Sequence, residues 1–354
     1  MRILLYSPAF LPLVGGLEIN QAMLADRFTR LGHEVTLVTT TPRREGSDAE
    51  DFPFRVLRRP GPAALLRAVR DSDLFFQANV SLRGLWPLLL VRRPWAVSHH
   101  SWYRGGDGHR GWRDQLKRFL LRFAAVSIAV SSAVAADLET PSVVIRNAYR
   151  DHLFRLLPDV PRRRDLIFVG RLVSDKGADL LLRALARLAG SGLRPRLLVV
   201  GSGPEEPALR SQSASLGLRE QVEFAGTRSG EELVRLLNEH RLLVVPSRYD
   251  EPFGIVALEG IACGCVVVGS VGGGLPEAIG PCGVTFRNGS VEALAAVLAD
   301  LLGRGCDLAP WRAGAAEHLA RHTGERVARL YAAALEAGLA ARGAPRRPVR
   351  DGSP

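Results

Sequence analysis

The sequence predicts an α/β protein of two doubly wound halves, each a parallel sheet covered by helices. Three observations carry that expectation. A scheme of short apolar strand, glycine-bearing turn and amphipathic helix recurs along the 354-residue chain. The apolar runs are short, continuous and bounded by Gly or Pro, as in strands buried on both faces. A Pro- and Arg-rich cluster, Pro158 to Arg164, divides the series in two, and a chain of this length exceeds one average domain. The composition, 47% hydrophobic and 6% aromatic, is that of a globular α/β protein. The expected division is 1–157 and 158–324. A helix over 325–340 could pack back on the first half, and a Pro-, Gly- and Arg-rich tail over 341–354 is expected to be disordered.

Taken in order, Arg2 to Tyr6 reads as a buried strand and Gly15-Gly16 as the turn after it. Leu17 to Leu31 has helical spacing closed by Gly32, and Val35 to Val38 is the next strand, which completes one βαβ unit. Strands follow at Arg55 to Leu57, Leu74 to Gln77, Trp95 to Ser98, Val126 to Val130 and Val143 to Ile145. Helices are expected at Pro62 to Val69, Trp112 to Phe123 and, capped by Ser131-Ser132, Ala133 to Leu138. The strand from Trp95 ends in His99-His100, polar groups at the strand end where parallel sheets bind ligands. In the second half, Leu166 to Val169 leads to Gly170-Arg171, then Asp175-Lys176-Gly177 and the helix Ala178 to Leu188. Arg171 and Lys176 therefore flank a strand-to-helix turn, a geometry that gathers positive charge around a diphosphate. Leu197 to Val200 and Val222 to Phe224 are strands, the latter running into Gly226-Thr227-Arg228. Further helices span Glu231 to Leu237 and Val291 to Leu302.

The densest stretch runs from Tyr249 to Glu277 around EPFGIVALE. It reads as strand, loop, helix, strand, with Glu251 in the loop and Glu259 inside the helix. Gly254 opens the helix, so free N–H groups and the positive end of its dipole face the loop, a ready phosphate site. Two carboxylates able to bind hydroxyls flank it, and the combination points to a sugar nucleotide. Alone, the same stretch is also compatible with an ordinary αβ unit bearing solvated acids.

Other features limit the partners. The formal charge of +11 rests almost wholly on Arg, since Lys occurs only at 117 and 176. Such an excess fits phosphate-bearing ligands, anionic lipid, or simply an arginine-rich proteome. Aromatic residues are not interleaved with the arginines, so nucleic acid is not expected. The helix WRDQLKRFLLRF, Trp112 to Phe123, is basic and amphipathic and reads either as a surface helix or as a contact with an anionic membrane. Asp71-Ser72-Asp73 could hold a metal-diphosphate, but it stands at a strand entrance where acids are commonly solvated or cap a helix. Cys263, Cys265, Cys282 and Cys306 lack zinc spacing and read as small buried residues of a reducing cytosol. The N-terminal apolar run is broken by Pro8 and Pro12 and reads as a strand rather than a secretion signal. No apolar run approaches the roughly 18 residues of a membrane span. A cytoplasmic protein, either free or peripheral on the inner face of the membrane, is expected.

The motifs PAFLPLVGGLE, GHEVTLVTT, IAVSSAV, VIRNAY, FVGRLVSDKGADLLLRAL, VVGSGPEEPAL, VEFAGTR and VVPSRYDEPFGIVALEGIACGCVVVGSVGGGLPEAI, in this order, resemble the family-4 retaining glycosyltransferases of the GT-B fold, over about Arg2 to Ala340. The resemblance implies two Rossmann-like domains facing across a cleft, the first on the acceptor side and the second binding a sugar-nucleotide donor. It implies Glu251 beside the donor sugar, Glu259 on the ribose hydroxyls, and Arg171 and Lys176 on the diphosphate. Phe253, Gly254, Ile255 and Val256 would meet the sugar and phosphates, while Gly170, Thr227 and Arg228 would lie along the donor. From the first domain, Gly16 would approach the donor phosphate, and His99 or His100 the transferred sugar; the spacing does not choose between them. Domain closure would assemble the site. No cofactor or metal is implied beyond the nucleotide diphosphate sugar, and the acceptor is left open. Two departures stand out: Asn147-Ala148 where Asn-Gly is common, and Glu259-Gly260 where Glu-Ala is usual. A sugar-nucleotide epimerase or hydrolase of the same fold, and a non-catalytic polyanion- or membrane-binding protein, are the alternatives.

Overall fold

The structure is a computed structural model and describes residues 1–13, 15–43, 52–105, 108–303 and 306–341; the expected tail beyond Ala341 lies outside them. The chain divides into two compact units, residues 1–146 with the chain from Gly324 onward, and Asn147–Thr323. The break precedes the Pro158–Arg164 cluster because the intervening segment is fastened to the second unit. There Leu157 N–H donates to Asn238 Oδ1 at 2.8 Å, and Tyr149 N–H to the His322 carbonyl at 3.2 Å. The helix Gly324–Ala341 belongs to the first unit and lies against the helix Gly16–Arg30.

Among the described residues the first unit is a seven-stranded parallel sheet. Its strands are β1 (Arg2–Tyr6), β2 (Glu34–Thr39), β3 (Arg55–Arg58), β4 (Leu74–Ala78), β5 (Trp95–His99), β6 (Val126–Ala129) and β7 (Val143–Val144), in the order β3-β2-β1-β4-β5-β6-β7. The second unit is a six-stranded parallel sheet of β8 (Arg164–Val169), β9 (Leu197–Val200), β10 (Val222–Gly226), β11 (His240–Val245), β12 (Val266–Ser270) and β13 (Gly283–Phe286), in the order β10-β9-β8-β11-β12-β13. Each sheet reverses its strand order once, between β1 and β4 and between β8 and β11. In open α/β sheets that reversal opens a crevice beyond the carboxyl ends of the strands.

The continuous apolar runs are explained by burial on both faces: β4 and β5 have no exposed residue. In the second unit, Leu166, Phe168, Val244 and Val268 of one face pack with Leu181 and Leu185 of the helix Ala178–Gly190 and with Leu294 and Leu298 of the helix Val291–Leu302. On β11, a Cβ at Gly260 would stand 2.4 Å from Leu243 Cδ2, so the helix Ile255–Ala262 lies close on the strand through the residue where Ala is usual. Ser131 caps the helix Ser132–Leu138, its hydroxyl accepting from Val134 N–H at 3.1 Å. The helices Leu275–Ile279 and Ala315–Ala320 escape the sequence reading because 5 and 6 residues are too few to display a helical period.

Candidate functional site

Polar groups collect at the carboxyl ends of β8 and β11. From β8 the chain passes Gly170, whose N–H still bonds the Val200 carbonyl at 3.0 Å, then Arg171 and a tight turn over Ser174–Lys176. Gly177 closes that turn at φ +69°, and a Cβ there would lie 2.0 Å from the Pro246 carbonyl oxygen. Only glycine permits this approach, which presses the Lys176 turn onto the loop after β11. Arg248 fastens the two further, its N–H donating to the Asp175 carbonyl at 2.8 Å and its guanidinium pairing with Asp179.

The result is a compact charge cluster. Lys176 Nζ stands 2.6 Å from Glu251 Oε1, and the Ser247 hydroxyl donates to the same oxygen at 2.6 Å. The Tyr249 hydroxyl donates to Glu251 Oε2 at 2.6 Å, and its ring centroid lies 5.2 Å from the ammonium. Glu251 is buried. Burial opposes its ionisation, but the charge of Lys176 and the hydrogen bonds from Lys176, Ser247 and Tyr249 outweigh it and hold the carboxyl below the usual range. Burial, then the charge and hydrogen bond of Glu251, pushes the Tyr249 phenol up. Arg171 is exposed on the same turn.

The loop ends at Gly254, which caps the helix Ile255–Ala262 at φ +100° and ψ 61°. A Cβ there would also meet Leu275 Cδ1 at 2.6 Å, so the helix start is open to glycine on two counts. The first N–H groups of the helix, from Ile255 and Val256, have no carbonyl within the helix to bond. Phe253 beneath them is buried against His322, ring centroids 5.6 Å apart. One turn on, Glu259 is buried and receives Arg150, whose Nε and Nη2 both reach Oε1 at 3.0 and 2.9 Å. Here burial wins over the charge and hydrogen bonds of Arg150, and the carboxyl is raised. Thr227 donates to Ser202 Oγ at 3.0 Å beyond β9 and β10, while Arg228 pairs with Glu232 at 3.1 Å.

In the first unit Gly16 is the exposed first residue of its helix. The two histidines differ sharply. His99 is fully enclosed, with Nδ1 2.7 Å from the Tyr103 hydroxyl and Nε2 3.0 Å from Ser127 Oγ, and burial followed by the neighbouring His100 lowers its pKa to about 3. Both ring nitrogens are engaged. His100 is half-buried; its Nε2 lies 3.0 Å from Ser98 Oγ and 3.4 Å from Gln21 Nε2, and burial lowers its pKa to about 4. Asp73 is spent at the opposite edge of the sheet, pairing with Arg2 at 2.8 Å. Among the described residues no three His, Cys, Asp or Glu side chains gather as a metal-binding group.

The sequence therefore points to Glu251, Glu259, Lys176 and Arg171 without revealing that Lys176 closes on Glu251. It assigns nothing to Ser247, Tyr249, Arg150 or Gln21. Ser247 and Tyr249 sit inside the quoted motif, so proximity to Glu251 was a usable signal. Arg150 gave none, being 109 residues from its partner.

Residues 14–149 match the family profile described as Glycosyltransferase Family 4, and residues 154–314 that described as Glycosyl transferases group 1. A D-inositol 3-phosphate glycosyltransferase of Thermobispora bispora is 36% identical over 388 aligned positions, covering 91% of this chain and 90% of that protein. The counterpart from Mycobacterium marinum is 34% identical over 215 residues, 57% of this chain, and the match spans only 45% of that relative's length. Among solved structures, Anabaena HepE in complex with UDP and glucose superposes with a TM-score of 0.79 at 21% identity, covering 95% of this chain and 100% of that one. This chain belongs to the family-4, group 1 glycosyltransferases, and its two α/β units have the GT-B fold.

Proposed function

We propose that this protein transfers a sugar from a nucleotide diphosphate sugar to an acceptor hydroxyl, with retained anomeric configuration and without a metal. The observation that carries it is the cluster of Lys176, Glu251 and the Gly254 helix start at the carboxyl edge of the second sheet. The leaving nucleoside diphosphate develops charge, which Arg171, Lys176 and the helix N–H groups can stabilise in place of a metal. Glu259 takes the ribose hydroxyls, held in position by Arg150. Of the two histidines in the first unit, half-buried His100 is a better candidate for the sugar and acceptor side than enclosed His99, and Gly16 at its exposed helix start is the other.

Retention through two displacements would need a carboxylate nucleophile. Glu251 fits that role poorly, since three donors already occupy its two oxygens. Its charge instead fixes Lys176, which favours reaction on one face with the leaving phosphate helping to deprotonate the acceptor. The acceptor is a glycan, lipid-linked or natural-product hydroxyl. The inositol phosphate acceptor in the names of its relatives and the UDP held by HepE make these the first acceptor and donor to try. The test is a thermal-shift screen against UDP, GDP, ADP and dTDP sugars, followed by turnover of Lys176→Ala and Glu259→Ala. Stabilisation by one nucleotide class, lost in both variants together with turnover, is expected. No stabilisation by any nucleotide sugar, or unchanged turnover in both variants, would overturn the proposal. Donor consumption that needs no acceptor would reassign the site to an epimerase or hydrolase.

A further inference from the structure

We propose that the helix Trp112–Leu120, with the turn Leu121–Phe123 that continues it, docks the first unit on an anionic membrane surface. Trp112, Leu116, Phe119 and Phe123 are 68%, 38%, 52% and 58% exposed. Their spacing of four, three and four residues puts them in one stripe along the helix. No residue of Trp112–Leu120 is buried. An ordinary surface helix turns its apolar stripe inward; this one turns it out.

The opposite side is what holds the helix to the protein. Arg118 pairs with Asp137 at 3.4 Å and with Glu139 at 3.1 Å, and Leu121 is buried just beyond. Lys117 pairs with Asp114 at 3.3 Å and lies 5.5 Å from the Tyr103 ring centroid. The outward stripe is thus set by an ion-pair anchor on the back.

Cations border the stripe. The Arg113 guanidinium stands 5.3 Å over the Trp112 ring and that of Arg122 5.7 Å over Phe119. Exposed aromatic rings flanked by arginine match the boundary between lipid headgroups and acyl chains, where rings enter the interface and guanidinium groups meet phosphate. The net charge of +11 adds attraction to an anionic leaflet. A protein partner is less well matched. The exposed parts of the four side chains offer roughly 400–500 Å², short of the ~800 Å² per partner of a stable interface. The docking stands apart from the transferase proposal, because it needs neither donor nor turnover.

Cosedimentation of the full chain with phosphatidylcholine vesicles and with mixed phosphatidylcholine and phosphatidylglycerol vesicles tests it, at low and at high salt. The wild type should sediment with the anionic vesicles only, and less at high salt. Arg113→Gln with Arg122→Gln should weaken binding about thirtyfold, and Phe119→Asp should abolish it. All these side chains are exposed, so thermal melts of the variants should match the wild type. A wild type that stays in the supernatant, or sediments equally with neutral vesicles, overturns the proposal. So does a Phe119→Asp variant that breaks a dimer and leaves vesicle binding intact.

Discussion

Arg150→Ala is the substitution with the most to reveal about the proposed donor half-site. It removes both hydrogen bonds to Glu259 Oε1 and leaves a carboxylate that is 7% exposed with its cation gone. Breaking a fully buried pair costs about 3–5 kcal/mol. Arg150 keeps 23% of its side chain in solvent, so about 3 kcal/mol is expected, or a loss of roughly 6–12 °C in Tm. The Glu259 pKa already lies above its unfolded value, so its contribution to stability is full below the unfolded pKa and falls as pH rises through the folded one. Without Arg150 the folded pKa climbs further, and the variant should lose stability more steeply with rising pH than the wild type. Glu259→Gln removes the charge, so Arg150→Ala should cost far less in that background. Thermal unfolding of the four proteins across acid to neutral pH measures the coupling directly. Equal costs in both backgrounds would show that the pair carries no energy in the folded protein and would refute the reasoning.

Other outcomes follow from the polar groups of each unit. Lys176→Ala leaves Glu251 with only Ser247 and Tyr249, so its depressed pKa should rise; the stability it supplies above the unfolded pKa, normally lost as pH falls through the folded one, should be lost at higher pH, read as an earlier acid-unfolding midpoint. Gly254→Ala must place a side chain at φ +100° against Leu275 and should cost ~2–4 kcal/mol in chemical denaturation. His99→Ala removes an enclosed ring bonded at both nitrogens and should cost ~2–4 kcal/mol. His100→Ala leaves Ser98 and Gln21 without that partner and should cost less than His99→Ala, while transfer falls about a hundredfold; a larger activity loss in His99→Ala at equal folded fraction would reverse the assignment.

The alternating strands and helices, the glycine turns and the placing of Glu251, Glu259, Arg171 and Lys176 beside them were legible in the sequence. Each depends on neighbours within a few residues: a strand buried on both faces must be apolar throughout, and a left-handed turn such as Gly177 must be glycine. What packs on what was not legible. Nothing near His99 or His100 tells which ring Tyr103 and Ser127 will enclose. Nothing in WRDQLKRFLLRF tells that Asp137 and Glu139 will anchor its polar back and leave its rings outside. Lys176 meets Glu251 across 75 residues and Arg150 meets Glu259 across 109. Local pattern decides which backbone forms and where a charge can stand. Which charge finds a partner, and how far burial shifts its pKa, is decided only when distant segments are brought together, because desolvation and Coulomb attraction act through space and not along the chain.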